Sequence, residues 1–239
     1  MALRRWRRTL RPVPTSRRIA TPPPSREFVD GLLTELRSAG FSAAGWRRLW
    51  WDSLRRSEEQ ALAHPVAARE VHLLHMLAAP FVSGPWNIAS WWMSWTHLGL
   101  LGDADVPLGW PNRLTILRGL LPALLPAAGP LPAVLAMATD FADGRLARGQ
   151  GQSSALGAFA DPLADSLFWT WFALREEPNR TLKALSLLLW LGPTAGLTLA
   201  YFTRARALGI PSRISLRPIS AAMQVLLTVR SVRRRLRRR

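Results

Sequence analysis

Along this chain the apolar positions are first scattered, then periodic, then nearly continuous. Up to residue 25 there is no period: arginines come first and prolines follow (Pro12, Pro14, Pro22, Pro23, Pro24). That composition predicts an extended, poorly ordered segment. From residue 26 to about 70, Phe28, Leu32, Leu33, Leu36, Trp46, Leu49 and Trp50 recur at helical spacing, with Arg37, Arg47, Arg48 and Arg55 between them. Such a stretch suits a helix lying in the plane of an anionic membrane surface, and equally a soluble amphipathic helix packed on the rest of the protein. Residues 71–102 are apolar, but Pro80, Gly84 and Pro85 split them into two pieces. Each piece is shorter than the ~20 residues a spanning helix needs, so an interfacial or re-entrant pair of half-helices is expected.

Beyond Pro111 the apolar runs lengthen: 114–128, 131–148, 154–174 and 181–202, with the polar loop Arg175, Glu176, Glu177, Pro178, Asn179 between the last two. Those last two are each about long enough to cross a bilayer. A final helix is predicted over 214–232, followed by an arginine-rich end. The pattern predicts an all-α protein, a polytopic transmembrane helical bundle with a basic, partly disordered N-terminal extension. The expected divisions are a proline-rich segment (1–25), an amphipathic or interfacial extension (26–110), a membrane domain (111–232) and a basic tail (233–239).

Charge narrows the partners. The formal net charge is +17, almost wholly from arginine, since Lys183 is the only lysine. So basic a chain suits anionic lipid or nucleic acid. Membrane-length segments favour membrane lipids and argue against nucleic acid. Twelve tryptophans against one tyrosine suit the membrane–water interface. With no cysteine, disulfides, thiolate metal sites and cysteine nucleophiles are excluded. The basic start lacks a following apolar stretch, so no cleaved export signal is read. The positive-inside rule places Arg145, Arg148, Arg204, Arg206 and the final arginines on the cytoplasmic side. A spanning last helix would strand that tail outside, so the helix is expected to stay partly in or against the membrane.

Four carboxylates stand out against this background. Asp140, Asp143, Asp161 and Asp165 lie within or at the ends of membrane-length apolar segments, where a charged side chain costs about 2.5–3.5 kcal/mol even on the gentlest scale. Little basic charge is expected within pairing reach of all four, so bound cations are the simplest way to satisfy them. Asp140 and Asp143, three apart, share a helix face that Gly144 and Ala147 continue; Gly157, Asp161 and Asp165 form one stripe at i, i+4, i+8. Two antiparallel helices would bring both pairs to one space. All-oxygen coordination suits Mg²⁺ or Mn²⁺, and Arg148 is placed to meet phosphate. The competing reading makes Asp140 a cap and Asp161-Pro162 a cap with proline at the first helical position; it does not account for four aspartates together. His72 and His75, at i, i+3, lack the further ligands a metal site needs.

Residues 140–165 read D-F-A-D-G-R-L-A-R-x8-G-A-F-A-D-P-L-A-D. This resembles the signature of the CDP-alcohol phosphatidyltransferases, D-x2-D-G-x2-A-R-x8-G-x3-D-x3-D, at every fixed position. Upstream, Pro111-Asn112-Arg113-Leu114-Thr115-Ile116-Leu117-Arg118 resembles the family's P-N-x-L-T-x-x-R at the start of its first helix. The resemblance covers roughly residues 111–225. It implies two divalent ions, Mg²⁺ or Mn²⁺, held by Asp140, Asp143 and Asp161 against the pyrophosphate of a CDP-lipid donor. It further implies Asp165 as general base on the acceptor hydroxyl and a further metal ligand. Gly144 and Gly157 would let the nucleotide approach, and Asn112, Thr115 and Arg148 would contact it. Arg118 is either a further CDP contact or a helix-end interfacial arginine.

The resemblance is to members of the phosphatidylglycerophosphate synthase type. Arg204, Arg206, Arg213 and Arg217 fit a phosphorylated acceptor such as glycerol 3-phosphate, although the positive-inside rule alone also puts arginines there. The implied setting is a bacterial cell membrane with the site facing the cytoplasm, and a homodimer is left open. The family's usual sixth spanning helix has no counterpart unless the half-helices at 71–101 stand in for it. A catalytically impaired relative acting as a membrane binding or scaffold protein is therefore the alternative.

Overall fold

The computed structural model describes residues 23–79, 84–102, 105–125, 129–150, 154–205 and 217–237. Among them there is no strand. The helices are α1 (Pro23–Ser38), α2 (Ala43–Ala63), α3 (Pro65–Ala78), α4 (Gly84–Trp95), α5 (Gly109–Leu124), α6 (Leu131–Gln150), α7 (Ala155–Glu176), α8 (Arg180–Arg204) and α9 (Arg217–Leu236), with a 3₁₀ turn at Leu98–Leu101.

The amphipathic stretch near the start is not one helix but α1, α2 and the first turn of α3. Gly40 and Phe41 both take positive φ, 58° and 54°, which ends α1 in the left-handed region that glycine reaches most readily. Ser42 then caps α2, its Oγ accepting from Gly45 N at 3.2 Å; this satisfies one of the amides a helix start leaves open. Leu33 and Leu36 are buried as their spacing predicts, whereas Trp50 and Trp51 stay exposed.

The two half-helices take shape as α3 and α4, 14 and 12 residues long. Pro80, which was expected to separate them, lies outside the described residues. His75 serves structure: it is buried, bonded through Nδ1 to Val71 O at 2.7 Å and through Nε2 to Ser90 Oγ at 3.0 Å. Ser90 in turn faces Gly119 of α5, where an added Cβ would come within 3.1 Å of its Oγ. The missing side chain lets α4 sit directly on α5. Ala67, Val71 and Leu98 share one apolar cluster with Ile116, Leu120 and Leu156, so the extension packs on the C-terminal helices through a common core.

A second cluster joins Leu121, Ala133, Ala136, Phe168, Trp169, Phe172, Trp190 and Leu227 from α5 through α9. Trp169 and Trp190 stack with centroids 6.1 Å apart. These tryptophans fill the core instead of an interface, because each bulky ring buries more area among neighbouring helices than it could at a rim. Helix α8 alone, among the described residues, is long and apolar enough to cross a membrane. Its Leu185, Leu188, Leu191 and Leu199 face outward.

The last helix departs from expectation. Described from Arg217, it stays helical through Leu236, past the expected end at 232, and runs back along the bundle. Ser186 Oγ meets Met223 Sδ at 3.4 Å, and Thr228 lies against Met137. Arg230 and Arg234 reach Glu177 in the α7–α8 loop. That loop lies a full helix length from Arg145, near the end of α6, and from Arg204 at the end of α8. The expectation of one basic side therefore fails for the tail. Glu176 and Glu177 supply the charge that makes arginines welcome at the far end, a pairing that loop-charge counting does not weigh.

Candidate active site

Three helices bring the site together. Helix α5 lays Asn112, Thr115 and Arg118 along one buried face at i, i+3, i+6. Helix α6 contributes Asp140, and α7 contributes Asp161 and Asp165, one turn apart. Neither Asp140 nor Asp161 is a helix cap. Asp140 sits in the interior of α6, and α7 starts at Ala155 with Ser154 as its cap, leaving Asp161 and Pro162 well inside. Each of Asp140, Asp161 and Asp165 offers an oxygen within 4.8 Å of the other two. Of the four aspartates expected to share this space, these three meet; the side chain of Asp143 lies outside the described residues.

At the centre stands Arg118, with no exposed side-chain surface. One of its terminal nitrogens (Nη1) lies 2.6 Å from Asp165 Oδ1, 2.7 Å from Asp161 Oδ1 and 3.2 Å from Asp140 Oδ1. The premise that little basic charge accompanies these carboxylates is thus corrected: α5 provides it, from far along the chain. Of these three Asp165 is the most buried, its side chain 16 % exposed against 43 % for Asp161 and 44 % for Asp140. Asp140 and Asp161 thus keep part of their surface accessible while Asp165 is nearly enclosed.

The mouth is set by a second group. Ser154 Oγ donates to Asn112 Oδ1 at 3.1 Å and accepts from Gly157 N at 3.0 Å. Asn112 Nδ2 donates to Leu108 O at 2.6 Å, and Thr115 Oγ1 donates to Pro111 O at 3.1 Å. A Cβ on Gly157 would fall 2.8 Å from Asn112 Oδ1; only glycine lets α7 approach α5 this closely. On the other side of Asn112, Glu70 of α3 accepts from both Arg113 Nε, at 3.1 Å, and Arg113 Nη2, at 2.7 Å, and from Leu108 N at 3.2 Å. Helix α3 thereby holds the first turn of α5.

Gly144 follows Asp140 by one turn on α6, and the next residue, Arg145, stacks over Phe141 at 4.4 Å. The side chains of Asp143 and Arg148 lie outside the described residues, as do Arg206, Arg213 and the side chain of Arg217.

Asp140 from α6 and Asp161 and Asp165 from α7 converge as the two aspartate pairs of the 140–165 motif were expected to. The sequence model of the CDP-alcohol phosphatidyltransferases matches residues 109–232. The chain belongs to the CDP-alcohol phosphatidyltransferase family. No curated protein and no solved structure matches it. Members of this family are membrane-embedded transferases of phospholipid synthesis that use a CDP-alcohol and typically depend on divalent metal.

The residues present fit such an ion. Three carboxylates against one guanidinium leave an excess of negative charge, and the donors are hard oxygens of the kind Mg²⁺ and Mn²⁺ take. Two residues around this site, Ser154 and Glu70, have no signal in the sequence, and a third, Arg118, has one that leaves its place open. Arg118 had been left between two roles, although a mid-helix arginine on the Asn112–Thr115 face was a signal equal to the misplaced aspartates. Ser154 and Glu70 carried no motif, and only their contacts reveal them.

Proposed function

We propose that this family member is a membrane-embedded transferase that moves a phosphatidyl group from a CDP-alcohol, specifically CDP-diacylglycerol, to the hydroxyl of a small acceptor such as glycerol 3-phosphate, releasing CMP. The observation that carries this reading is the convergence of Asp140, Asp161 and Asp165 oxygens within 4.8 Å beside the Asn112–Gly157 contact.

In this reading Asp140, Asp143, Asp161 and Asp165 hold two divalent ions, which when bound neutralise the donor's pyrophosphate and make CMP a better leaving group. The close packing at Gly157 leaves Asn112 and Thr115 to meet the nucleotide along one face of α5, with Gly144 and Arg148 approaching from α6. Asp165 takes the proton of the acceptor hydroxyl. The acceptor oxygen then bonds to the diacylglycerol-bearing phosphorus as the bond from that phosphorus to the CMP oxygen breaks. The depth of Asp165 keeps bulk water from competing for its proton.

Helices α5 to α9 are proposed to cross the membrane together. The outward leucines of α8 support this, as do Val134 and Phe141 on α6 and Val225, Leu226 and Val229 on α9, all exposed. Lipid tails are the solvent that accepts such a surface at no cost. Helix α4, seated on α5 through Ser90 and Gly119, is proposed to take the place of the sixth helix. Arg204, at the cytoplasmic end of α8, would meet an acceptor phosphate.

The test is CMP release by detergent-purified protein given CDP-diacylglycerol and Mg²⁺ or Mn²⁺, with glycerol 3-phosphate, inositol phosphate and phosphatidylglycerol offered separately. Metal-dependent CMP release with glycerol 3-phosphate is expected. Release with a different acceptor would overturn the acceptor assignment. No release with any, despite CDP-lipid binding, would favour a non-catalytic relative.

A further inference from the structure

We propose that Arg118 and the divalent cation are alternative occupants of the same carboxylate cluster. In the metal-free protein the guanidinium holds the three aspartates together. When the site loads, it gives them up and turns to the phosphates of the incoming donor. This inference rests on the functional reading above.

The geometry forces the choice. One guanidinium nitrogen already lies within 2.6–3.2 Å of an Oδ1 from each of Asp140, Asp161 and Asp165. Those are three of the oxygens a hard cation would take, at about 2.0–2.1 Å for Mg²⁺. An ion bound to all three of these oxygens would need the place between them that the guanidinium nitrogen already fills, and a single position does not hold both. Other titratable groups escape this kind of conflict by losing a proton. Arginine does not, since its charge persists at any pH a protein survives. The guanidinium must therefore move.

Its destination is limited by burial. The Arg118 side chain has no exposed surface, so leaving the aspartates for water is not open to it, and a buried charge needs a new partner. Helix α5 shows where one arrives. Thr115 and Asn112 lie on the same face at one and two turns from Arg118, about 9 Å along the axis at the far end, and Asn112 marks the Gly157 contact where the nucleotide is proposed to sit. A pyrophosphate entering along that face brings the anion that replaces the aspartates. Metal and donor then assist each other's binding, since each removes a partner problem the other creates. Arg118 also neutralises the cluster whenever no cation does, because without either the carboxylates would stand unneutralised at close range.

The inference is tested by titrating Mn²⁺ into detergent-purified full-length protein and following free Mn²⁺ by electron paramagnetic resonance, with and without CDP as the probe. Wild-type protein without nucleotide is expected to bind Mn²⁺ weakly, and CDP to tighten it at least tenfold. Arg118→Gln is expected to bind Mn²⁺ at least tenfold more tightly than wild type in the absence of CDP, and to depend on Mn²⁺ for its thermal stability. Arg118→Lys keeps the cation and should retain the weak binding. Equal or weaker Mn²⁺ binding by Arg118→Gln overturns the competition. So does micromolar binding by nucleotide-free wild type, a result that does not depend on any variant folding. Wild type that binds no Mn²⁺ even with CDP would instead overturn the metal-dependent function, and this inference with it.

Discussion

Glu177 and Arg230, fifty-three residues apart, face each other through two hydrogen bonds of 2.9 Å each. The pair fastens the last helix to the loop between α7 and α8. Arg234 adds a longer contact to the same carboxylate at 3.4 Å and a hydrogen bond to Glu176 O, and Ser231 Oγ donates to Glu176 Oε2 at 3.0 Å. A helix that ends in arginines is held at its charged end, and Leu227 is thereby kept in the core.

The latch should be sensitive to acid. Burial works to raise the Glu177 carboxyl, but hydrogen bonds from Arg230 and from Asn179 N outweigh it, and its pKa lies below the ordinary value of 4.5. A lowered folded-state pKa means the contribution is complete above about pH 4.5 and is lost as pH falls through the folded value. Glu177→Gln should lower stability by about 1 kcal/mol at neutral pH, a figure discounted for the solvent near the partner. Thermal unfolding in detergent measured from pH 7 downward should show the two proteins converging at the acid end. Parallel curves would place the pH sensitivity elsewhere.

Asp165→Asn removes the proposed proton acceptor while keeping shape. CDP-diacylglycerol binding should persist, and turnover should fall by about 10²–10⁴, the usual worth of a positioned base. Chelation by EDTA should abolish wild-type turnover and Mg²⁺ or Mn²⁺ should restore it. Near-normal turnover in the variant, measured as CMP release, would move the base to another group.

Gly157→Ala puts a methyl group 2.8 Å from Asn112 Oδ1 and 3.3 Å from Ser154 Oγ. Both neighbours are already engaged with each other at 3.1 Å, so neither yields freely. The expected result is a rise in KM for the CDP donor of at least tenfold, with the protein still folded. An unchanged KM would show that the nucleotide does not enter between α5 and α7.

Glu70→Gln tests whether the extension supports the site. The wild-type carboxylate accepts from Arg113 twice and from Leu108 N, and Leu108 O in turn accepts from Asn112. Loss of the charge should loosen the start of α5. KM for the CDP donor should then rise several-fold, with less effect on kcat. An equal fall in kcat at constant KM would instead connect Glu70 to the chemical step.

Much of the site was legible in the sequence because a helix repeats every 3.6 residues. Asp161 and Asp165, four apart, had to share a face, and carboxylates in apolar segments had to meet charge. The cap reading of Asp140 and Asp161 also depended on sequence, and it failed because Ser154 starts α7 earlier. Arg118 was named but not placed. Its distance in sequence from Asp161 and Asp165 is 43 and 47 residues, and no local pattern encodes a contact of that range.

By itself, then, the sequence determined that the described chain is all-helical, that Asp161 and Asp165 share a face, and the family. Each of these follows from neighbours a few residues apart. Only the tertiary structure decided that Arg118 lies among the aspartates, that Glu70 braces the first turn of α5, and that the arginine tail turns to Glu177. Those outcomes depend on which helix faces pack together. Packing is chosen by fit at particular points, such as the bare backbone of Gly119 against Ser90 and of Gly157 against Asn112, where one methyl group would hold the helices apart.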